Sequence, residues 1–319
     1  MKNTHSASAK VSTKISVVIP LYNESENVEL LWEELATVLD SFPESEAIFV
    51  DDGSRDDSAE KLRHIASKDR RVKVLLFANN SGQTAAMGAG VDYATGDIIL
   101  FMDGDRQNDP ADIPRLLAKL DEGFDVVSGW RLKRQDDFLR SALSRMANRV
   151  VAMTTRVSLH DTGCSLKAFR APFVRRIEFI GEVHRLLPVY AKWQGARITE
   201  IPVNHRPRVA GISKYGFSRI IKILLDLLLA QFTVRWRRRP MYFFGMLAAM
   251  SFGLGFLSLV WALVLKFWSG TTLIQTPLPL FAAMLVILTM QMLSMGIVAD
   301  LLMRMNDRKP YTVQESIGF

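Results

Sequence analysis

The sequence predicts an α/β protein, a mostly parallel sheet with flanking helices, followed by a C-terminal transmembrane hairpin of two helices. Three observations carry that expectation. Short apolar runs alternate with helical stretches from Ile15 to Ser128; polar clusters close the early strands; and two long segments after Pro240 carry no charge.

Ile15–Pro20, Ala47–Val50, Val72–Phe77, Asp97–Met102 and Asp125–Ser128 read as strands: short, apolar or β-branched, and bounded by Gly, Asp, Asn or Pro. Glu26–Leu39, Ser58–Ala66, Gln83–Tyr93 and Ile113–Leu120 read as the helices between them. Strands joined by single helices give right-handed crossovers and parallel pairing. Ligands of such sheets bind beyond the carboxyl ends of the strands. There the sequence places Tyr22-Asn23-Glu24, Asp51-Asp52-Gly53-Ser54, Asn79-Asn80 and Asp103-Gly104-Asp105, so the acids converge on one rim.

Met241–Leu265 and Thr276–Ala299 are uncharged. About 20 apolar residues cross a hydrocarbon core as a helix, so both are long enough. Arg235, Arg237, Arg238 and Arg239 precede the first run, and Arg304, Arg308 and Lys309 follow the second. Basic flanks stay in the cytoplasm, which puts both chain ends inside. The expected organisation is a polar N-terminus without a signal peptide (1–14), a cytoplasmic domain (15–213), an interfacial amphipathic helix and basic cluster (214–239), two membrane helices (240–303) and a cytoplasmic tail (304–319). Phe138–Thr154 reads as a second interfacial helix.

Lys and Arg total 40 against 33 acids, a net charge of +7. Because the excess flanks the apolar runs, it points to a membrane surface and not to nucleic acid. Hydrophobic residues at 49% exclude a disordered chain. A single cysteine, Cys164, excludes an internal disulfide and any multi-cysteine zinc site. Neither G-x-G-x-x-G after the first strand nor G-x-x-x-x-G-K-[ST] occurs, so a nucleotide must be held another way. Asp103 and Asp105 flank one glycine at a strand end and offer hard oxygen ligands to Mg²⁺ or Mn²⁺.

Pro20-Leu21-Tyr22-Asn23-Glu24, Val50-Asp51-Asp52-Gly53-Ser54, Asn80-x-Gly82, Asp103-Gly104-Asp105-x-Gln107 and Arg208-x-x-Gly211-x-Ser213-Lys214 follow one another in that order. Together they resemble family 2 glycosyltransferases of the polyprenyl-phosphate type, similar to dolichyl-phosphate mannose synthases and the bacterial undecaprenyl-phosphate sugar transferases. The resemblance implies a GT-A-like fold and inverting transfer from a nucleotide-sugar donor, with uridine favoured, to polyprenyl phosphate. It implies a multi-pass inner-membrane enzyme of cell-envelope glycan chemistry whose catalytic domain is cytoplasmic.

By the same resemblance, Pro20, Tyr22, Glu24 and Asp52 surround the nucleoside, with Asp52 on the base edge and Asp51 pinning the loop. Gly82, Gln83, Asp103 and Gly104 complete the nucleotide site, while Asp103, Asp105 and Gln107 hold the divalent ion and diphosphate. Arg106 departs from the usual leucine and is expected to add a cation near the diphosphate. Asp161 in Asp161-Thr162-Gly163-Cys164 lies near the sugar. Arg131, Arg140, Arg208 and Lys214 match the cations that grip the acceptor phosphate.

A phosphate monoester is mostly dianionic at pH 7, its second pKa being near 6, so a general base has little left to do. Asp161 is therefore read as a sugar-orienting group first and a proton acceptor second. His160, His184 and His205 have no metal-ligand spacing and read as structural. Homo-oligomerisation stays open. The rival readings are a transferase with a different acceptor, or a membrane-anchored scaffold with a degenerate nucleotide site.

Overall fold

Every residue of β1 (Ile15–Leu21) is buried, a pattern that only a strand covered on both faces tolerates. The computed structural model, which describes residues 13–131, 159–179, 181, 183–206, 240–270, 272–305 and 311–319, places that strand deep in an eight-stranded sheet. In chain order there follow α1 (Ser25–Leu39), β2 (Ser45–Asp51), α2 (Ser58–Lys68), β3 (Val72–Phe77), α3 (Gln83–Tyr93), β4 (Ile98–Phe101), α4 (Ile113–Asp121) and β5 (Val126–Arg131). Then come β6 (Lys167–Arg170), the short helices α5 (Ala171–Val174) and α6 (Leu187–Trp193), β7 (Ile198–Val203), α7 (Pro240–Ser269), α8 (Leu278–Met305) and β8 (Val313–Ile317). The sheet order is β7-β5-β6-β4-β1-β2-β3-β8. β1 pairs in parallel with β2 and β4, and β3 and β7 extend the parallel pattern, while β6 and β8 run antiparallel.

The five strands expected from sequence are all present, and three more join them. β6 is only four residues long and charged at both ends; β7 carries a proline and a glutamate, as edge strands do. β8 forms in what reads from the sequence as a tail. Arg63 donates to Glu315 through Nε and Nη2, the shortest bond at 2.6 Å, and the Tyr311 hydroxyl donates to Asp92 at 2.6 Å. The Tyr311 ring stacks on Phe77 with centroids 5.2 Å apart. Residues 309–319 therefore belong to the same compact unit as the sheet. The expected interfacial helices, at 138–154 and within 214–239, lie outside the described residues, as do Arg140, Arg208 and Lys214.

α3 is Gly/Ala-rich because it lies unusually close to the sheet. A Cβ on Gly90 would come within 2.3 Å of Val18 Cγ1. This close approach sets the helix N-terminus, at Gln83, against the carboxyl ends of the strands.

The second compact unit, 227–308, contains α7 and α8, packed against each other as a hairpin. Both have a mean hydropathy of 2.1 and are long and apolar enough to cross a membrane. Small residues of α7 (Ala248, Ser251, Gly255, Ser258 and Ala262) are buried, and the Ser251 hydroxyl donates to the Leu285 carbonyl at 2.9 Å. Close packing through small residues is how helices associate where no hydrophobic effect separates helix from solvent. Phe252, Leu257 and Trp261 stay exposed on the outer face.

At the end of the sheet opposite the strand carboxyl termini, Glu46 is buried yet fully engaged. It accepts from the Thr95 N–H at 2.7 Å, the Thr95 hydroxyl at 2.8 Å, Lys73 Nζ at 2.7 Å and the Ser16 hydroxyl. Burial pushes its pKa up, but these donors outweigh burial and hold it at about 2. The depressed pKa contributes stability that is complete above about pH 4.5 and is lost as the pH falls toward 2. Glu46→Gln in the full detergent-solubilised chain should cost about 2–4 kcal/mol at pH 7. The gap from wild type should close between pH 4.5 and 2, read by thermal unfolding across that range.

Candidate active site

Parallel strands β1, β2 and β4 end on one side of the sheet, and the loops that follow them form a cleft of about 330 Å³. Pro20, Leu21, Tyr22 and Glu24 line it from β1, Asp52 from β2, Asn80, Gly82 and Gln83 from the entry to α3, and Asp103, Gly104 and Asp105 from β4. All the nucleotide-site residues expected from sequence thus share one cleft. Tyr22 stands half-exposed at its rim.

The loops hold their shape through left-handed residues and carboxylate clasps. Asn23 sits at φ +54°; its N–H donates to Ser54 Oγ at 2.8 Å, and its side-chain oxygen accepts from the Arg55 N–H at 2.8 Å. Asp51 accepts from both the N–H and the hydroxyl of Ser54. Asp52 accepts from the Ser81 N–H at 2.6 Å and the Gly82 N–H at 2.9 Å, so it too pins a loop while facing the cleft. Burial pushes both of these carboxyls up against the pull of their donors.

Asp103 and Asp105 differ in kind. Burial, and next the charge of Asp105, push Asp103 up to about 6, although Gln83 Nε2 donates to it at 2.8 Å. Two carboxylates that repel each other in a half-buried cleft are suited to a divalent ion. No third His, Cys, Asp or Glu joins them in a metal-sized cluster among the described residues. Mg²⁺ and Mn²⁺ sites that share their ion with a substrate phosphate need no more than one or two carboxylates, so this donor set fits. Gln107 stands outside the cleft lining, its Nε2 directed to the Arg206 carbonyl at 3.5 Å. The cation expected from Arg106 is also directed elsewhere: its Nη2 donates to Glu34 on α1 at 2.6 Å.

A second cluster centres on Asp161. Arg131 Nε donates to its Oδ2 at 2.6 Å and Nη2 to its Oδ1 at 2.9 Å, and the Gly163 N–H adds a third bond at 3.1 Å. Arg131 is therefore a partner of Asp161 before it is anything else. Lys167, missed in the sequence reading, is buried beside this pair. Burial pulls its ammonium pKa down, while Cys164, Asp161 and Asp103 act the other way. It opens the short strand β6, in register with Phe101 two residues before Asp103, a placement that the sequence does not signal. Cys164 is inert, its thiol pushed up to about 11 by burial. His184 is structural as expected: burial lowers it to about 3, and its Nδ1 shares a 2.7 Å hydrogen bond with the Thr84 hydroxyl. His160 stacks on Trp130 with centroids 4.3 Å apart and pairs with Glu200.

This arrangement has known counterparts. The pattern of Glycosyl transferase family 2 matches residues 16–177. Dodecaprenyl-phosphate galacturonate synthase from Rhizobium johnstonii is 39% identical over 302 residues, covering 92% of this chain and 88% of that protein. The chain belongs to glycosyltransferase family 2. Another relative of this glycosyltransferase is undecaprenyl-phosphate 4-deoxy-4-formamido-L-arabinose transferase from Salmonella choleraesuis, 36% identical over 311 residues, 95% of this chain and 94% of that one. The fold matches glucosyl-3-phosphoglycerate synthase from Mycobacterium tuberculosis, solved with Mn²⁺ and uridine-diphosphate-glucose. That match has a TM-score of 0.53 and 19% identity, and covers 70% of this chain and 79% of the other. The sheet is thus GT-A-like, as the sequence implied.

Gly53 tests the loop geometry of the glycosyltransferase. It sits at φ +70°, and a Cβ there would come within 2.7 Å of the Asn79 carbonyl carbon and 2.8 Å of the Asn80 nitrogen. Gly53→Ala should weaken nucleotide-sugar binding by about tenfold or more, because the backbone beside Asp52 or that of Asn79–Asn80 must move, and both lead into the cleft lining. Calorimetric titration of the full chain checks this.

Proposed function

We propose that this glycosyltransferase moves a sugar from a uridine nucleotide donor to polyprenyl phosphate, with inversion, at the cytoplasmic leaflet of the inner membrane. The observation that carries the reading is the Asp103–Asp105 pair at the end of β4, facing a cleft whose other walls are built from the nucleoside motifs. Both relatives described above are named for polyprenyl-phosphate chemistry, and the structural neighbour was solved with Mn²⁺ and a uridine donor. Mg²⁺ or Mn²⁺ held by Asp103 and Asp105 would neutralise charge on the diphosphate leaving group.

In the proposed reaction an oxygen of the acceptor phosphate attacks the anomeric carbon as the bond to the donor diphosphate breaks. The nucleoside diphosphate leaves with the bonding pair. Because the acceptor arrives as a dianion, no proton has to be removed. The oxygens of Asp161 already accept three N–H bonds, which suits a group that orients a sugar more than one that takes a proton. Arg131 commits two N–H donors to Asp161 and keeps the rest of its fork for phosphate. Arg140, Arg208 and Lys214 complete the proposed acceptor grip. The chain leaves the sheet before the apolar hairpin and rejoins it at β8, so a hairpin that spans the bilayer must cross it an even number of times. With the basic flanks, this supports a cytoplasmic catalytic domain.

Thermal shift of the full chain with Mn²⁺ and uridine diphosphate tests the donor site. Stabilisation should vanish in Asp105→Ala. In wild type it should shrink between pH 7.5 and 5.5, because a proton on Asp103, at about 6, competes with the ion. Full activity in EDTA would refute the metal.

For the acceptor, Arg208→Ala should lower transfer roughly 30- to several-thousand-fold with donor affinity unchanged. Asp161→Asn should be milder than Asp105→Ala and flat with pH above about 7. If Asp161→Asn instead matches the metal variant and recovers as the pH rises, Asp161 is a true base.

A further inference from the structure

Glu34 lies on α1, away from the cleft lining, yet it joins the two segments on which transfer depends. Its Oε1 accepts from Arg106 Nη2 at 2.6 Å and its Oε2 from Arg206 Nη1 at 2.6 Å. Arg106 immediately follows Asp105 and sits in the left-handed region at φ +59°, a conformation that a long side chain adopts only when its surroundings hold it there. Arg206 stands two residues before Arg208 in the chain. One carboxylate therefore brings together two guanidinium groups that would otherwise repel, and each of its oxygens serves a different segment.

The surrounding bonds lead to the same two segments. The Arg206 N–H donates to the Gln107 carbonyl at 2.9 Å, Asn108 bridges His205, and Arg206 Nη2 lies 3.2 Å from Asp109 Oδ1. The Asn204 N–H donates to Asp112 at 2.6 Å. These contacts, through backbone and carboxylate side chains alike, fix the 204–206 segment against residues 107–112. Glu34 ties that junction to α1.

We propose that Glu34 is a positioning residue that holds the diphosphate loop and the acceptor arm in one fixed relation. The proposal rests on the reading of Arg208 as an acceptor-phosphate contact. Direct displacement demands that nucleophile and leaving group stay aligned, and a displacement near 1 Å can lower the rate about 100-fold. Glu34 acts on that alignment without touching either substrate.

The test uses the full chain in nanodiscs. Glu34→Gln keeps the side-chain volume and removes the charge. It should lower kcat/KM for polyprenyl phosphate about tenfold or more, leave the Kd for uridine diphosphate with Mn²⁺ within about twofold, and speed amide exchange at Asn204 and Arg206. Arg206→Ala should do the same, and the double variant should be no worse than Arg206→Ala alone. Arg206→Lys, which keeps one ionic contact, should recover part of the loss. The proposal is overturned if donor affinity and acceptor kcat/KM fall by the same factor, if neither changes, or if the two substitutions add. Arg208→Ala separates the premises. Should it leave acceptor kinetics untouched, the acceptor-arm reading fails, and unchanged amide exchange in Glu34→Gln would then overturn the clasp as well.

Discussion

Parallel pairing of β1 with both β2 and β4 is the constraint from which the site follows. Leu21 lies in register with Asp51, and Val18 with Phe101, so β1 and β2 leave the sheet at one level and β4 a few residues sooner on the same side. No loop has to reach far to meet its neighbours. The carboxylates at those ends are therefore brought together by backbone hydrogen bonding, before any side chain has a role. α3 completes the arrangement because its glycines let the helix rest directly on the sheet, with its N-terminus at the same rim.

Acidic side chains gather on this rim, and the structure sorts them by what satisfies them. Asp51, Asp52 and Asp161 each hold backbone N–H groups, and Asp161 holds a guanidinium as well. Their charge is already absorbed in keeping loops in shape. Burial raises Asp51 and Asp52 as well, but Asp103, which among the described residues holds no loop backbone from the neighbouring strands and faces the charge of Asp105, is pushed up to about 6. The proposed divalent ion would relieve the tension that the fold leaves there. The distinction between a carboxylate that builds the site and one that waits for a ligand is thus electrostatic, and residue type alone does not reveal it.

How much of this could be read from the sequence follows from the range of each interaction. The first five strands announce themselves through local runs of β-branched and apolar residues, and the cleft residues through short motifs at their ends. β8 shows no such signal: its register is set by β3, and Glu315 meets an arginine 252 residues away in the chain. Arg106 illustrates the same limit. Its neighbours in sequence suggest a diphosphate contact, whereas its partner Glu34 comes from a helix 72 positions earlier. Lys167 was passed over because a four-residue strand with charged ends does not stand out by composition. Arrangement along the chain foretold most of the groups that line the cleft, but not that Arg106 and Gln107 turn away from it, and pairing between distant charges had to await the fold.

The place of β8 in the sheet also fixes an order of assembly. Its partner strand β3 is synthesised early, and β8 only after both apolar helices. Until then β3 presents a bare row of hydrogen-bonding groups, the kind of edge on which chains stick to one another. The β3 edge is therefore covered only by a strand made after the hairpin. Errors in threading the hairpin into the bilayer should register in the catalytic domain as an uncapped, aggregation-prone edge.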